Sequence, residues 1–387
     1  MMGGRTAAIA GVGRSAVYRD GAPAVERLTL DACRAALDDA GAEPKDIDAI
    51  FDYAFGWDSP DAHYVQRALG IPDLAAYADV AAMGPSGLAG ALAGVMAVSS
   101  GACETALVFR AISQSAGYQG QARGGGGGGL GAMMASFEFT MPYGYFPIIP
   151  AIGMMMRRRI DELGGTIEDY GHIAVNARRW ASMNDAAVLR EPVSMDGYLS
   201  SRVLCDPLRL LDCDYPVSGA NALVITTAER ARDFRKQPVV VDAFAYATGP
   251  TPDWLQAEDF LFGATRRCAD RLWSRASVRA RDVDLALLYD GFTHITLSWI
   301  EALGFCGIGE AGAWLEGGSR IGPGGSLPVN THGGQLAAGR LHGLAHAVEA
   351  VQQLRDECGE RQVPDARVAV VTTGHGPQCG ALLLRSD

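Results

Sequence analysis

The chain has 387 residues, of which 48% are hydrophobic, and its formal net charge is −11 at pH 7. This length allows a large buried core and predicts two domain-sized units or one duplicated unit. The acidic balance argues against a nucleic-acid-binding surface, because contacts to phosphates require a basic face.

The N-terminal residues and the cysteines predict a soluble protein in a reducing compartment. Residues 1–15 contain no charged segment followed by an apolar run, so we expect no secretory signal. The most apolar later stretch, residues 130–156, carries Glu138 and three prolines and fits a membrane span poorly. The eight cysteines are scattered without a CxxC pair, which favours free thiols in the cytoplasm.

The first 115 residues follow a strand–helix–strand pattern. An apolar strand at Ala7–Val12 precedes a helical pattern at Leu28–Ala40, and the segment 40–53 then reads AGAEPKDIDAIFDY. A second helix at Ser86–Ser99 leads into a strand at Ala106–Phe109. These elements predict one βαβαβ half with a buried sheet.

Residues 116–237 differ in composition from the first 115 residues. They are predicted to be an inserted loop region that returns to the N-terminal half. The six glycines Gly124–Gly129 favour a loop, which serves either as a plain linker or as a lid over a pocket. The aromatic and Met-rich segment 137–156 forms either packed core and subunit interface or the wall of an apolar ligand site.

The remaining residues, 238–387, repeat the first pattern. Residues 276–289 read ASVRARDVDLALLY and match residues 40–53 at an offset of 236 positions. The flanking elements recur in the same order, namely a strand at Val239–Ala243, helices at Phe260–Arg275 and Leu341–Arg355, and a strand at Val368–Thr372. We therefore predict an N-terminal half in two parts, residues 1–115 and 116–237, and a C-terminal half, residues 238–387.

Four motifs in the second half resemble the thiolase superfamily, over essentially the whole chain. They read YDGF, EALGFC, LPVNTHGGQL and QQLR, at residues 289–292, 301–306, 327–336 and 352–355. The nearest resemblance is to the sterol-carrier-protein-type thiolases and their lipid-transfer-like aldolase relatives. It implies an α/β thiolase fold, in which the duplicated βαβαβ halves form a five-layered αβαβα core.

The resemblance also shows which thiolase side chains are missing. A thiolase uses a nucleophilic Cys at a helix N-terminus, a His and a second Cys. By the simplest alignment the first two positions fall on Gly84 and Arg340, and the second Cys falls near Thr372. Ser86 is either a replacement nucleophile or a helix N-cap residue, and no base can be assigned to it from sequence. Acyl transfer through an acyl-cysteine is therefore not expected.

The aldolase relatives without this Cys cleave β-hydroxyacyl-CoA esters, which requires a base and enolate stabilisation but no acyl-enzyme. The resemblance thus implies a carbon–carbon lyase that forms a ketone or aldehyde. Steroid side chains are among the acyl groups that these relatives cleave. A Schiff-base mechanism is disfavoured because the only lysines, Lys45 and Lys236, lie in polar turns. The seven histidines form no metal-binding motif. His342 and His346 are one helical turn apart, a spacing that fits either a pair of metal ligands or two solvated or packed helix residues.

Site residues follow from the motifs and the resemblance. Tyr289 of YDGF matches a catalytic tyrosine of the aldolase relatives, and we expect His332, His342, His375 and Arg340 to converge on the same pocket. The glycine-rich turns allow close approach to a ligand. Seven further residues are predicted to bind substrate: Gly84, Ser86, Asp290, Asn330, Gly333, Gly334 and Gly374.

Arg340 departs from the aldolase pattern, which has a second tyrosine there. An arginine cannot act as a base at ordinary pH. Three alternatives follow: a neighbouring His takes over the role of the missing tyrosine, Arg340 binds an anion, or this copy is inactive. An inactive copy would be a non-catalytic acyl-CoA-binding or scaffold subunit. An acyltransferase with a displaced nucleophile is a further alternative.

The predicted partners follow from the substrate class and from the family. CoA carries phosphates, for which Arg157, Arg158 and Arg159 are candidates, although these residues also fit a solvated helix face. The resemblance implies a homodimer through the edge of the first-half sheet and a separate small OB-fold and zinc-ribbon partner. No cofactor or metal is expected, since CoA is part of the substrate.

Overall fold

The computed structural model describes residues 5–54, 59–81, 87–113, 138, 140–145, 148–250, 254 and 257–386. Two predicted site residues, Gly84 and Ser86, and the glycine run 124–129 lie outside these described residues. The predicted Tyr, His and Arg site residues all lie within them.

The strands alternate with helices along both halves of the chain. The strands are β1 (Ala7–Arg14), β2 (Ala49–Ala54), β3 (Ala76–Ala81), β4 (Thr105–Ile112), β5 (Val203–Cys205), β6 (Leu208–Arg209), β7 (Gly219–Thr227), β8 (Val239–Thr248), β9 (Leu285–Leu287), β10 (Val368–His375) and β11 (Gln378–Ser386). The helices are α1 (Val25–Ala40), α2 (Ala62–Leu69), α3 (Ala89–Ser100), α4 (Ile148–Leu163), α5 (Ile167–Ser182), α6 (Met195–Leu199), α7 (Thr265–Trp273), α8 (Thr293–Ala302), α9 (Ala311–Trp314), α10 (Gly334–Ala337) and α11 (Leu344–Leu354).

One sheet carries both halves, with the strand order β3-β2-β4-β7-β1-β8-β11-β10-β9. The strands β2, β3 and β4 are parallel, as are β9 and β10, while β7, β1, β8 and β11 pair antiparallel with their neighbours. The halves join where β1 pairs with β8, through Ala8 with Val240 and Ile9 with Val239. The predicted inserted region contributes α4, α5 and α6 and also β7, which lies between β4 and β1.

Three buried clusters give the layers. On one outer face α1 and α2 pack against the N-terminal strands, with Leu28 and Val65 fully buried. In the middle, α3 and α11 contact strands of both halves, where Leu92 and Leu344 share one cluster. On the other outer face α5, α7 and α8 cover the C-terminal strands, with Trp299 fully buried. The predicted α/β class is confirmed: helices cover both outer faces and also lie between the two halves, whose strands belong to one continuous sheet.

The sequence repeat is also a structural repeat. The 3-10 turns Pro44–Asp46 and Ala280–Asp282 lie 236 residues apart and have the same side-chain cap. After each turn an aspartate carboxylate accepts backbone N–H groups at the start of the neighbouring strand: Asp48 from Thr105 and Asp284 from Val368, both at 2.8 Å. The Asp-x-Asp pattern thus closes the same strand pair in each half.

The second helix of the C-terminal half begins later than predicted. The sequence predicts a helix from Leu341, whereas α11 begins at Leu344. His342 and Gly343 have φ of 58° and 96°, outside the helical region. His342 therefore lies in a turn, not on a helix face shared with His346.

Candidate active site

Tyr289 lies two residues after β9 and is 1% exposed. Its backbone N–H donates to the Thr372 hydroxyl at 2.9 Å, so the residue at the second thiolase Cys position holds the tyrosine backbone. The Gln335 side chain lies beside the Tyr289 hydroxyl, but no described residue makes a hydrogen bond of good geometry with it. Burial, reinforced by the charge of Asp214, raises the pKa of Tyr289 well above its usual value. The phenol is therefore protonated at neutral pH and can donate a hydrogen bond.

Asp290 fixes the backbone next to this tyrosine. Its carboxylate accepts the Gln335 N–H at 2.9 Å and lies 3.1 Å from Nε2 of His346. A Cβ on Gly334 would come within 1.8 Å of that carboxylate, and Gly334 has a φ of 62°, so a side chain is excluded there. Asp290 and Gly334, both predicted to bind substrate, are engaged with each other and with the protein.

Asn330 and Gly333 have similar positioning roles. The Asn330 side chain exchanges two hydrogen bonds with the backbone of Leu288, at 2.8 and 2.9 Å. Gly333 has a φ of 100°, and a Cβ there would meet that of Ala181 at 2.7 Å. These predicted substrate-binding residues thus hold the strand end and the turn that present Tyr289.

His342 is held by a buried arginine. Nη2 of Arg110 lies 2.9 Å from Nδ1 of His342, and Nη1 donates to the Tyr53 carbonyl at 3.0 Å. A guanidinium has only donors, so Nδ1 is the acceptor and the imidazole proton is on Nε2. Burial, with the charges of Arg110 and Arg340, lowers the pKa of His342 well below its usual value. His342 is therefore a neutral hydrogen-bond donor.

Arg340 faces Asp214, with Nη1 and Oδ1 at 3.7 Å. The backbone N–H of Asp214 donates to the Gly291 carbonyl at 3.1 Å, and that of Arg340 donates to the Tyr215 carbonyl at 2.8 Å. The segment carrying Asp214 therefore runs between the YDGF loop and Arg340. Burial raises the pKa of Asp214 to about 7, although Arg340 opposes this shift.

The start of α3 closes the arrangement against the His342 turn. A Cβ on Gly87 would come within 1.7 Å of the His342 carbonyl. A Cβ on Gly343 would lie 2.9 Å from the Thr373 hydroxyl and 3.4 Å from the Tyr289 ring. These close approaches bring α3, the His342 turn and the end of β10 together around Tyr289.

Two predicted site histidines belong to other groups of residues. The His332 ring lies 4.9 Å from that of His346, and burial lowers its pKa to about 3. His375 stacks on Trp254 at 5.6 Å and contacts His294 edge-on at 5.7 Å. Burial lowers the pKa of His375 to about 4. His332 thus packs beside His346, which contacts Asp290, while His375 lies with Trp254 and His294.

The last predicted substrate-binding glycine and the candidate CoA-binding arginines are engaged within the protein. The Gly374 carbonyl accepts the indole N–H of Trp299 at 2.9 Å. Arg157 pairs with Asp206, Arg158 with Glu162 at 2.7 Å, and buried Arg159 with Glu301 at 2.9 Å. All three arginines thus have carboxylate partners of their own.

Arg110 and Asp214 were missed by the sequence prediction. Arg110 had a detectable signal, because it is the single charge in the otherwise apolar strand TALVFRAI. A buried charge in such a strand requires a partner, which points to a functional or structural role. Asp214 lies in the polar stretch DCDYP and carries no such signal.

Comparisons with known proteins identify the family of this chain. The family model for a thiolase C-terminal domain-like region matches residues 250–381. The chain is 34% identical to the 17-hydroxy-3-oxo-4-pregnene-20-carboxyl-CoA lyase of Mycobacterium tuberculosis, over 98% of both chains. It is 32% identical to the steroid side-chain-cleaving aldolase of Thermomonospora curvata, again over 98% of both. The chain belongs to the thiolase superfamily. Its branch is that of the sterol-carrier-protein-type thiolases and steroid side-chain aldolases, as expected.

Solved structures give the same result for this thiolase-superfamily chain. The structure described as the Ltp2-ChsH2(DUF35) aldolase superimposes with a TM-score of 0.90 at 31% identity, covering 99% of this chain and 98% of that one. An acetyl-CoA acetyltransferase from Syntrophomonas wolfei, with a TM-score of 0.71 and 15% identity over 99% and 100% of the chains, shares the fold. No helix among the described residues is long and apolar enough to span a membrane.

Proposed function

We propose that this chain is a carbon–carbon lyase that cleaves a β-hydroxyacyl-CoA by a retro-aldol reaction. The products are a ketone or aldehyde and a shorter acyl-CoA. The observation that carries the proposal is the buried, protonated Tyr289 hydroxyl, which makes no hydrogen bond of good geometry with a described residue. A donor in a water-poor site stabilises the enolate that forms when the carbon–carbon bond breaks.

Acyl transfer through a cysteine is not supported by the thiols. Burial raises the pKa of Cys103 and of Cys306 to about 12, and that of Cys379 well above its usual value. A nucleophilic thiolate requires the opposite shift. The family positions for the nucleophile, the His and the second Cys also hold Gly84, Arg340 and Thr372.

The substrate class follows from the relatives. Two relatives that align over the full chain are named as a lyase of a pregnene carboxyl-CoA ester and as a steroid side-chain-cleaving aldolase. We propose a CoA thioester with a tertiary β-hydroxyl on a steroid ring as the substrate of this chain. Cleavage of 17-hydroxy-3-oxo-4-pregnene-20-carboxyl-CoA would give the ring 17-ketone and propionyl-CoA.

Product analysis tests this proposal. The purified protein is mixed with that thioester, and the ketone and propionyl-CoA are measured by mass spectrometry. Tyr289→Phe is expected to lower kcat by about 100- to 1000-fold, because one enolate donor is lost. Tyr170→Phe removes another buried tyrosine hydroxyl, which lies outside the site, and should keep full turnover. Equal turnover in Tyr289→Phe and wild type would refute the role of this tyrosine.

A non-catalytic acyl-CoA-binding or scaffold subunit is the second candidate. It is favoured by Arg340, which stands where the aldolase relatives have a second tyrosine. This alternative predicts that the thioester binds but stays intact, with or without a partner protein. Release of the ring ketone by the wild-type chain would exclude it.

We also propose a homodimer, a separate small OB-fold and zinc-ribbon partner, and a reaction without a cofactor. The solved structure that this chain resembles names a second protein, ChsH2(DUF35), in its description.

The homodimer is proposed to form through strand β3. β3 is the end strand of the described sheet and carries Tyr77, which is 52% exposed. An uncovered edge strand favours pairing with another chain. Tyr77→Lys should therefore lower the mass measured by light scattering, and an unchanged mass would exclude dimerisation through this edge.

A further inference from the structure

The proposed reaction requires a base, and Tyr289, His342 and Arg340 are all hydrogen-bond donors. Tyr289 is protonated, and His342 holds its proton on Nε2 because Arg110 occupies Nδ1. Arg340 has no acceptor atom. The cleavage of a β-hydroxyacyl-CoA, however, begins with removal of the hydroxyl proton.

Three carboxylates lie close to the YDGF loop: Asp212, Asp214 and Asp290. Asp214 differs from the other two in its hydrogen bonding. Its described charged partner, the Arg340 guanidinium, stays 3.7 Å away, beyond hydrogen-bond distance, and the side chain is 11% exposed. Its two carboxylate neighbours differ in this respect. Asp212 accepts hydrogen bonds from Tyr198 at 2.8 Å and Thr293 at 2.6 Å, and Asp290 holds the start of α10. Asp214 is thus buried enough to be shielded and open enough to accept a substrate proton.

The position of Asp214 is fixed from both sides. Its N–H bonds to the carbonyl of Gly291 at 3.1 Å, and the next residue, Tyr215, donates to the Gln335 carbonyl at 3.1 Å. These bonds tie the segment to the YDGF loop and to α10. The Arg340 guanidinium then lies 3.7 Å from the carboxylate, close enough to favour its charged form.

We infer that Asp214 is the general base of the lyase, an inference that rests on the proposed function. Its carboxylate takes the β-hydroxyl proton while the Cα–Cβ bond breaks. The oxygen lone pair forms the ketone, and the electrons of the broken bond pass into the thioester enolate. The proton then returns from Asp214 to the enolate carbon, which gives the shorter acyl-CoA and regenerates the carboxylate.

Arg340 acquires a role in this scheme as a positioning residue. It lies where the aldolase relatives have a second tyrosine, and its charge keeps Asp214 ionised against burial. Three ionisable groups act on Asp214: Arg340 lowers its pKa, Asp290 raises it, and Tyr289 is neutral at ordinary pH. The resulting pKa of about 7 suits a base that must release its proton again.

The test compares Asp214→Asn with wild type, using the steroid thioester of the preceding section. The isosteric amide cannot accept the proton, so kcat should fall by about 100- to 10,000-fold while KM changes little. The activity of wild type should rise with pH through about 7, and this limb should be absent from the residual activity of Asp214→Asn. The control Asp185→Asn changes a carboxylate that is 94% exposed and should leave turnover and pH profile unchanged.

Arg340→Gln gives an independent measurement. Without the guanidinium, the pKa of Asp214 should rise, so the rising limb should move to higher pH. If Asp214→Asn does not fold, this displacement decides the inference: a limb that moves up supports it, and an unmoved limb overturns it.

The outcomes separate this inference from the proposed function. A wild-type chain that leaves the thioester intact, both alone and with the proposed partner protein, overturns both. Wild-type turnover that Asp214→Asn retains, with its pH limb, overturns the base alone and leaves the lyase and Tyr289 in place. Loss of turnover in a folded Asp214→Asn variant that still binds the thioester supports both.

Discussion

At the scale of single residues, Arg110 determines which ring nitrogen of His342 carries the proton. Arg110→Met removes the donor to Nδ1 and a buried positive charge, both of which oppose protonation of the imidazole. The pKa of His342 should therefore rise. Histidine-labelled NMR, with the resonance assigned through His342→Asn, measures its titration midpoint. Arg281→Met removes a charge whose side chain is 85% exposed and should leave the midpoint unchanged. The same midpoint in Arg110→Met and wild type would contradict this account.

Glu349 depends in a similar way on Arg361. Burial pushes the pKa of Glu349 up, but His332 and Arg361 lower it to about 2 overall. Arg361→Gln leaves the carboxylate buried without its 3.0 Å ion pair, which should lower the free energy of unfolding by about 3–5 kcal/mol. Urea denaturation measures this loss, and Arg281→Gln serves as the exposed control. A loss no greater than that of the control would show that the Arg361 ion pair does not stabilise the fold.

The sequence could predict only part of this site. Tyr289 and Arg340 stand in motifs that the family resemblance identifies, so their place near the site is readable from the chain. Asp214 comes beside them only because its segment hydrogen-bonds to Gly291, a contact that no local pattern records. The packing of His332 against His346 is likewise not readable from the chain, because a glycine-rich turn does not reveal which way its side chain points.

At the scale of elements, the repeat offers a symmetric test. Asp284 accepts the N–H groups of Arg367 and Val368, both at 2.8 Å, and so ties β10 to β9. Asp284→Ala should lower the free energy of unfolding by about 2 kcal/mol, because hydrogen bonds to a charged acceptor are lost. Asp270→Ala, at an exposed position of α7, is the matched control. Equal unfolding midpoints for the two variants would contradict the role of Asp284.

Element boundaries show where local patterns lose their predictive value. The repeated segments were predictable, because the same Asp-x-Asp turn and apolar strand recur at one offset. The start of α11 was not, since His342 and Gly343 have left-handed conformations in a turn that leaves no room for a side chain on Gly343 beside Thr373 and Tyr289. Apolar periodicity alone continues through these residues and therefore extends the helix too far.

At the scale of the whole molecule, several buried groups link stability to pH. Four buried histidines have lowered pKa values, so they are neutral in the folded chain above pH 6.5 and do not change stability there: His294, His332, His342 and His375. Buried aspartates with raised pKa values act in the opposite range. They bind protons in the folded chain that the unfolded chain has released, so stability falls as pH rises toward the folded pKa.

Asp52 should dominate this alkaline loss. It lies on β2 opposite Asp79 of β3, and burial, reinforced by Asp79 and opposed by Arg110, raises its pKa to about 9. Between pH 6.5 and 8.5 the wild type should lose about 1.4 kcal/mol of stability per pH unit relative to Asp52→Asn, which has no proton to release. Urea denaturation at pH 6.5, 7.5 and 8.5 measures the difference. The control Asp185→Asn changes an exposed carboxylate, so its stability should depend on pH as that of wild type does. If Asp52 is protonated in the folded chain, the difference in stability between wild type and Asp52→Asn must widen as the pH rises.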